Sequence, residues 1–333
     1  MRRLLALSAL LLVCHAGSAS DDCRHRGDLD PSYCDADNDL VADAPKDAAA
    51  LKNPDTLIFS GTPEDSTLYQ TLLQPFVQYL AQCTDKKVNF ISVKSNAEEI
   101  ELMREGKIHI GSFSTGPTGY AVNVAGAVPF AVRGKGSKSW GYSMLVIVRR
   151  DSKFKKIADL KGTVIAHTSA SSNSGNLVPR ALLPRLGLVP DKDYTVFYSG
   201  RHDNSIMAVK AGDVDAAAVA SDVLHRLVER GDVDENTFRV LYTSVRFPSE
   251  TIVHAHNLEP GLRDKIRQCF YDYRFTGEMQ RAFDGADRFL EVTYKKDWDI
   301  VRLVATTAGQ RFDRTWYQKE LRREQDKQRE TFR

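Results

Sequence analysis

The chain has 333 residues, 42% apolar and 27% charged, enough to bury the core of one large domain or two ordinary ones. That balance excludes a disordered, collagen-like or multispanning membrane chain. Lys and Arg number 46 against 44 Asp and Glu. Arg2 and Arg3 fall within the first 19 residues, which hold no acid, so the remainder is neutral and lacks the basic surplus that nucleic-acid binding demands.

Arg2 and Arg3 precede an apolar run, Leu4 to Val13, followed by Ala16-Gly17-Ser18-Ala19. This is the pattern of an export signal, with cleavage expected after Ala19, and the run is too short for a permanent membrane span. A soluble protein of the periplasm is expected, and residues 20–54 then form an acidic prelude. Without Cys14, the cysteines are Cys23, Cys34, Cys83 and Cys269. An even count in an oxidising compartment reads as disulfides. Cys23 with Cys34 is the preferred pair, leaving Cys83 for Cys269, although four cysteines allow three pairings. Asp35, Asp37, Asp39 and Asp43 alternate in the manner of a calcium loop. Leu40 and Lys46 stand where an EF-hand wants Gly and Glu, so a solvated acidic loop is the competing reading. No other cofactor is implied.

From Asp55 onward short apolar runs alternate with amphipathic segments, the sign of α/β architecture. Strands are expected at Leu57–Ser60, Val88–Val93, Ile108–Phe113, Met144–Val148, Thr163–Ala166, Thr195–Tyr198, Val214–Val219, Val240–Tyr242 and Ile252–Ala255. Helices are expected at Ser66–Cys83, Asn96–Arg104 and Asn176–Leu186. Arg311–Arg333 carries eight basic and five acidic residues and reads as a solvated or frayed tail.

Two stretches share one grammar. Met103 to Thr115 runs helix end, Gly106, strand, then Ser114 and Thr115. Val209 to Ser221 runs helix end, Gly212, strand, then Ser221. Both place hydroxyls at strand ends, where open α/β sheets bind ligands. Two such lobes facing each other enclose a cleft.

The candidate site residues collect at these ends. Ser171, Ser172, Asn173 and Ser174 lie in Ser169–Gly175, between a strand and a helix start, where unpaired N–H groups suit an anion. Ser114 and Thr115 open Thr115-Gly116-Pro117-Thr118-Gly119, a segment of similar form. His202 follows the strand ending at Tyr198, and Asp222 follows Ser221. A carboxylate beside an anion makes sense if the anion carries a proton, because a carboxylate only accepts. Such a site rejects the fully ionised form. Glu250, near the expected lobe crossing, is a second acceptor. There is no Gly-x-Ser-x-Gly, no phosphate loop and no His-Glu-x-x-His, so no enzyme is indicated.

Several segments together carry a resemblance. They are Ser114-Thr115-Gly116-Pro117, Ser172-Asn173-Ser174-Gly175-Asn176-Leu177-Val178-Pro179-Arg180, Ser199-Gly200-Arg201-His202-Asp203-Asn204-Ser205, Gly212-Asp213-Val214-Asp215-Ala216-Ala217 with Ser221-Asp222, and Phe247-Pro248-Ser249-Glu250. With them, Pro54 to Gly309 resembles the periplasmic phosphate/phosphite/phosphonate-binding proteins of ABC importers. The resemblance implies a two-lobed type II binding-protein fold with two crossover strands. Lobe 1 would comprise 55–143 plus 251–310, lobe 2 144–250, and the tail 311–333. It implies that the serine-rich helix start, His202, Asp222 and Glu250 contact a small phosphorus oxyanion, with Tyr69 bordering its substituent. Where this chain has Asp222 a relative has Glu, and where it has Glu250 a relative has Asp. The implied partner is an ABC permease in the inner membrane, and a monomer is expected. A periplasmic sensor of phosphorus or arsenite oxyanions feeding a histidine kinase is the alternative. Ser114 and Thr115 stand where an arsenite sensor is expected to carry a thiol.

Overall fold

The computed structural model describes residues 23, 25–61, 70–139 and 141–331. The export signal and Tyr69 lie outside these residues. The first stretch of elements is β1 (Thr56–Ser60), α1 (Gln74–Thr84), β2 (Lys87–Ile91), α2 (Asn96–Arg104), β3 (Ile110–Phe113), α3 (Thr115–Ala125), β4 (Ala127–Lys135) and β5 (Lys138–Ser139). The second is β6 (Gly141–Arg149), β7 (Val164–His167), α4 (Val178–Leu182), β8 (Thr195–Tyr198), α5 (His202–Ala211), β9 (Ala216–Ala220), α6 (Ser221–Glu229) and β10 (Phe238–Pro248). The third is β11 (Thr251–Ala255), α7 (Pro260–Asp272), α8 (Gly277–Ala282), β12 (Arg288–Glu291), α9 (Tyr294–Asp297), α10 (Asp299–Thr307) and α11 (Arg314–Thr331).

The strands form two sheets. One runs β12-β4-β11-β3-β1-β2, with β5 folded back on β4; the other runs β10-β6-β9-β7-β8. The chain passes from the first sheet to the second after β5 and returns between β10 and β11. These two passages define the lobes that the sequence leads one to expect. Strands β7, β8 and β9 are parallel neighbours, as are β1, β2 and β3, so their C-terminal ends share an edge in each lobe.

Local chemistry explains most of the elements. Ser95 caps α2 by accepting the Glu98 amide at 3.1 Å. Gly106 and Gly212 adopt φ of +70° and +85°, ending α2 and α5 in the left-handed conformation a Cβ disfavours. Strand β9 is five small residues, all buried. Their size lets helices pack closely on a strand whose intrinsic propensity is poor.

Four expectations need correction. The helix expected at Ser66–Cys83 is helical at 70–72 and breaks at Leu73, because Pro75 has no N–H to donate backwards. Strands β4, β5 and β12 were not foreseen. Pro129 and Gly134 argue against a strand in β4, yet the register steps from Ile252↔Ala131 to Val253↔Pro129, and this bulge accommodates the proline. The stretch from Asn173 to Leu177 is a wide helical turn that precedes the short α4, and 3-10 geometry follows from Leu183 to Leu186. The charged tail is docked. Phe312 and Tyr317 are buried, their rings lie 5.0 and 4.8 Å from Tyr120, and Gly119 leaves the space the Phe312 ring occupies. Arg314 pairs with Asp30 at 3.2 Å, and Arg323 pairs with Asp191 of lobe 2. No helix among the described residues is long and apolar enough to cross a membrane.

In the prelude, Asp35, Asp37 and Asp39 bring carboxylate oxygens within 4.8 Å of one another. Asp43 stands apart from that trio and accepts the Ala36 amide at 2.8 Å. Both Asp35 oxygens take backbone amides, from Asp39 and Leu40. Burial, reinforced by the neighbouring carboxylates, pushes Asp39 up to about 6.

Cys23 is joined to Cys34, and Cys83 to Cys269. The second bond ties α1 to α7 across 186 residues of sequence and caps the aromatic core of lobe 1, where Phe76 and Phe270 rings meet at 4.6 Å. Replacing both Cys83 and Cys269 by Ala is expected to lower unfolding stability by about 2–4 kcal/mol in urea titration, since so long a loop is no longer closed in the unfolded chain. A loss below about 0.5 kcal/mol contradicts the assigned contribution.

Candidate functional site

The strand ends converge on one cavity between the lobes. Lobe 1 contributes Asn96, Ser114, Thr115, Pro117 and Arg133; lobe 2 contributes Tyr142, Ser172, Asn173, His202, Asp222 and Arg226; Ser249 and Glu250 come from the return passage. The cavity measures about 80 Å³. At roughly 10–15 Å³ per water it holds a handful of solvent molecules, or one small polyatomic ion.

His202 opens α5. The backbone amide of Ala220, at the end of β9, donates to its Nδ1 at 3.2 Å. An amide can only donate, so Nδ1 is the unprotonated nitrogen and Nε2 carries the hydrogen. Nε2 lies 3.4 Å from both the Ser172 and the Ser174 hydroxyls. Burial depresses the imidazole to about 4, outweighing the attraction of Asp222. At neutral pH His202 is therefore an uncharged donor.

The serine loop begins the helical stretch after β7. Ser172 Oγ accepts the Gly175 amide at 3.1 Å, and Asn176 and Leu177 donate to the Ser172 carbonyl. The amides of Asn173 and Ser174 are the orphan donors of a helix start. Asn173 Nδ2 donates to the Tyr142 hydroxyl at 3.1 Å. Burial pushes that phenol up to about 12, so it stays protonated. Opposite, Ser114 precedes the first residue of α3, and Pro117 removes a donor that would be unpaired anyway. The buried indole of Trp298 donates to the Thr115 carbonyl at 2.9 Å and fixes this helix start.

The carboxylates are not bare. Asp222 Oδ2 pairs with Arg226 at 3.2 Å, and Glu250 with Arg133 at 3.1 Å. Asp222 Oδ1 stays buried without a hydrogen-bond partner among the described residues. Asn96 Oδ1, Asn173 Oδ1 and Ser249 Oγ are in the same state. Buried polar atoms are costly to leave unpaired, and these surround a space of ionic size.

Of the expected ligand contacts, Ser114, Thr115, Ser172, Asn173, His202, Asp222 and Glu250 meet in this cavity. Ser174 is a neighbour of His202 rather than a lining residue. Ser171 is a correction: its hydroxyl does not line the space, and its carbonyl forms the contact with Gly116. The Thr115 hydroxyl spends its hydrogen on the Pro248 carbonyl at 2.7 Å, pinning the end of β10. The sequence reading missed Tyr142, Asn96, Arg133, Arg226 and Ser249. Arg226 had a signal, standing four residues after Asp222 on a helix. Arg133 and Tyr142 had none, because tertiary pairing alone brings their strands here.

A profile of the family described as "ABC transporter, phosphonate, periplasmic substrate-binding protein" matches residues 61–298. The chain belongs to that family. Its members are solute-binding transporter components rather than enzymes. The chain is 24% identical to the Phosphate-import protein PhnD of Mycolicibacterium smegmatis, over 78% of this chain and 85% of that one. It is 27% identical to the Phosphonates-binding periplasmic protein of Escherichia coli, over 63% of each. Among solved structures, the binding-protein component of an ABC phosphonate transporter from Pseudomonas aeruginosa superposes with a TM-score of 0.67 at 23% identity, covering 76% of this chain and 86% of that one. PhnD1 from Prochlorococcus marinus, in complex with methylphosphonate, gives 0.67 at 17% identity, covering 77% and 99%. These two confirm the two-lobed fold of this phosphonate-binding-family protein.

The lobes touch at one glycine. A Cβ on Gly116 would lie 2.1 Å from the Ser171 carbonyl oxygen and 2.7 Å from the Asn173 amide. Gly116→Ala is expected to hold the lobes apart, weakening ligand binding at least tenfold and enlarging the ligand-saturated particle in small-angle scattering. Wild-type affinity and an unchanged scattering profile would show that this approach is not needed. On the acid side, His202 subtracts stability. An unfolded histidine takes a proton below its ordinary 6.5, while the folded one resists until about 4, so stability falls with pH across that window. His202→Gln is expected to flatten that slope in pH-dependent thermal melts, and an unchanged slope would contradict it.

Proposed function

We propose that this family member captures a small phosphorus oxyanion between its lobes and delivers it to an ABC permease. Phosphonate, phosphite and phosphate are the candidate ligands. The single observation that carries this reading is His202. A neutral ring held by Ala220 aims an N–H at the serine loop, while an unpaired Asp222 oxygen borders the same cavity. Donors for oxyanion oxygens and an acceptor for an oxyanion hydrogen thus occupy one enclosure. The amides at the two helix starts add the partial positive charge that favours anions.

The ligand's charge follows from the pairing pattern. Arg226 and Arg133 neutralise Asp222 and Glu250, so the cavity does not repel anions outright. Asp222 Oδ1 still cannot donate, and a dianion placed against it gains nothing. The singly protonated anion is the preferred form. Contacts from both lobes exist only when the cleft is shut, so binding favours the closed state. The family's description as an ABC transporter component supports transport over the sensor alternative. The apolar run behind two arginines supports export, with cleavage after Ala19, and a monomer suits a permease ligand carrier.

Calorimetry with methylphosphonate and phosphate from pH 5 to 9 tests this. Affinity is expected to fall as pH rises through the ligand's second ionisation, which for phosphate esters is near ~6. Asp222→Asn, whose amide can donate to a dianion, should lessen or reverse that trend. His202→Ala should weaken binding by roughly 10- to 100-fold, the value of a hydrogen bond to a charged group, about 1.5–3 kcal/mol. Binding indifferent to pH in both proteins, or intact in His202→Ala, would overturn the reading.

A further inference from the structure

Helix α6 shows lobe 1 a stripe of charged side chains. Asp222, His225, Arg226 and Glu229 recur at spacings of three and four and so share one face. Val223, Leu224, Leu227 and Val228 pack the other side into lobe 2. Asp222 and Arg226 line the oxyanion cavity. His225 and Glu229 continue the stripe beyond it. Across the cleft stands Asp284, in the turn between α8 and β12 of lobe 1.

These three residues are grouped as metal ligands are. Donor atoms of His225, Glu229 and Asp284 all lie within 4.8 Å of one another. His225 Nε2 and Glu229 Oε1 are 3.2 Å apart. A tetrahedral zinc ion with ligands at about 2.0–2.1 Å has an edge of about 3.3 Å. The helical pair is therefore already spaced for chelation. Asp284 supplies the second observation. Its Oδ1 is buried without a hydrogen-bond partner among the described residues. Burial raises its carboxyl, and the carboxylates of Asp222 and Glu229 add to the rise. A cation would satisfy that oxygen and relieve the crowding.

We infer that His225, Glu229 and Asp284 bind one divalent transition metal, zinc by ligand chemistry, and thereby fasten lobe 2 to lobe 1 in the closed arrangement. One imidazole and two carboxylates suit zinc better than calcium, which prefers an all-oxygen shell. The fourth position is left to water. Two ligands belong to one lobe and the third to the other, so the complete site exists only when the cleft is shut. By linkage, the metal and the oxyanion then strengthen each other's binding. Arg226 and Arg133 also face Asp284. Each is paired with a cavity carboxylate, which limits its repulsion of the metal.

The test uses the whole exported chain, stripped with a chelator and free of any oxyanion, so its outcome does not depend on which cargo the cleft carries. Zinc chloride is titrated by calorimetry, with calcium chloride in parallel, and particle size is followed by small-angle scattering. One equivalent of zinc is expected to bind and compact the protein, while calcium has no comparable effect. Asp284→Asn and His225→Ala should each weaken zinc at least tenfold and abolish the compaction. Asparagine tolerates the left-handed backbone at position 284, where φ is +52°, so the first variant should fold. It should also bind methylphosphonate normally without zinc. Zinc affinity unchanged in both variants would place the metal elsewhere and overturn the site. Sensitive binding without compaction would overturn the fastening, and no binding below 100 μM, a threshold of about 5.5 kcal/mol, would overturn both.

Discussion

One hydrogen bond sets the chemistry of this cleft. The Ala220 amide donates to Nδ1 of His202 and so decides which ring nitrogen carries the hydrogen. It also joins the end of β9 to the start of α5, fixing the ring over the serine loop. A histidine free to swap tautomers or to protonate near neutrality would change sign with pH. This one is held neutral by burial and pointed by backbone. The rest of the site is arranged around a donor that costs no reorganisation when an anion arrives.

The second constraint is how closely two backbones can approach. Gly116 lies against Ser171 and Asn173 with no room for a methyl group. Trp298 and Thr115 brace the lobe 1 side through the Thr115 carbonyl and the Pro248 carbonyl. The two helix starts thus face each other across a space of ionic size. The arginine–carboxylate pairs complete the balance, since each buried charge in the cavity wall is matched by its opposite and only Asp222 Oδ1 is left as an open acceptor. The docked tail reaches from Tyr120 in lobe 1 to Asp191 in lobe 2, so the side away from the cavity is spanned as well.

Local signals in the sequence were strong where they coincided with local causes. Ser95, the alternation in α2 and Gly106 gave Asn96–Arg104 to the residue, and the aromatic and β-branched run Thr195–Tyr198 did the same for β8. The repeated helix–Gly–strand–hydroxyl grammar is realised in both lobes, and it located the two rims of the cavity. What was hidden depended on partners distant in the chain. Strand β4 contains Pro129 and becomes a strand only through a bulge against β11. Arg133 then enters the site on that unforeseen strand. Tyr142 reaches Asn173 only because β6 crosses between lobes. The tail was misjudged because its charge outweighed two aromatic residues, Phe312 and Tyr317, that bury themselves on Tyr120.

A structure of the protein crystallised with methylphosphonate tests the central claim most directly. The account predicts the phosphonate oxygens at about 2.7–3.2 Å from His202 Nε2, the Ser172 hydroxyl and the amide at the start of α3, with one oxygen donating its hydrogen to Asp222 Oδ1. A ligand seated elsewhere, or a His202 ring turned so that Nε2 no longer borders the occupied space, would contradict it.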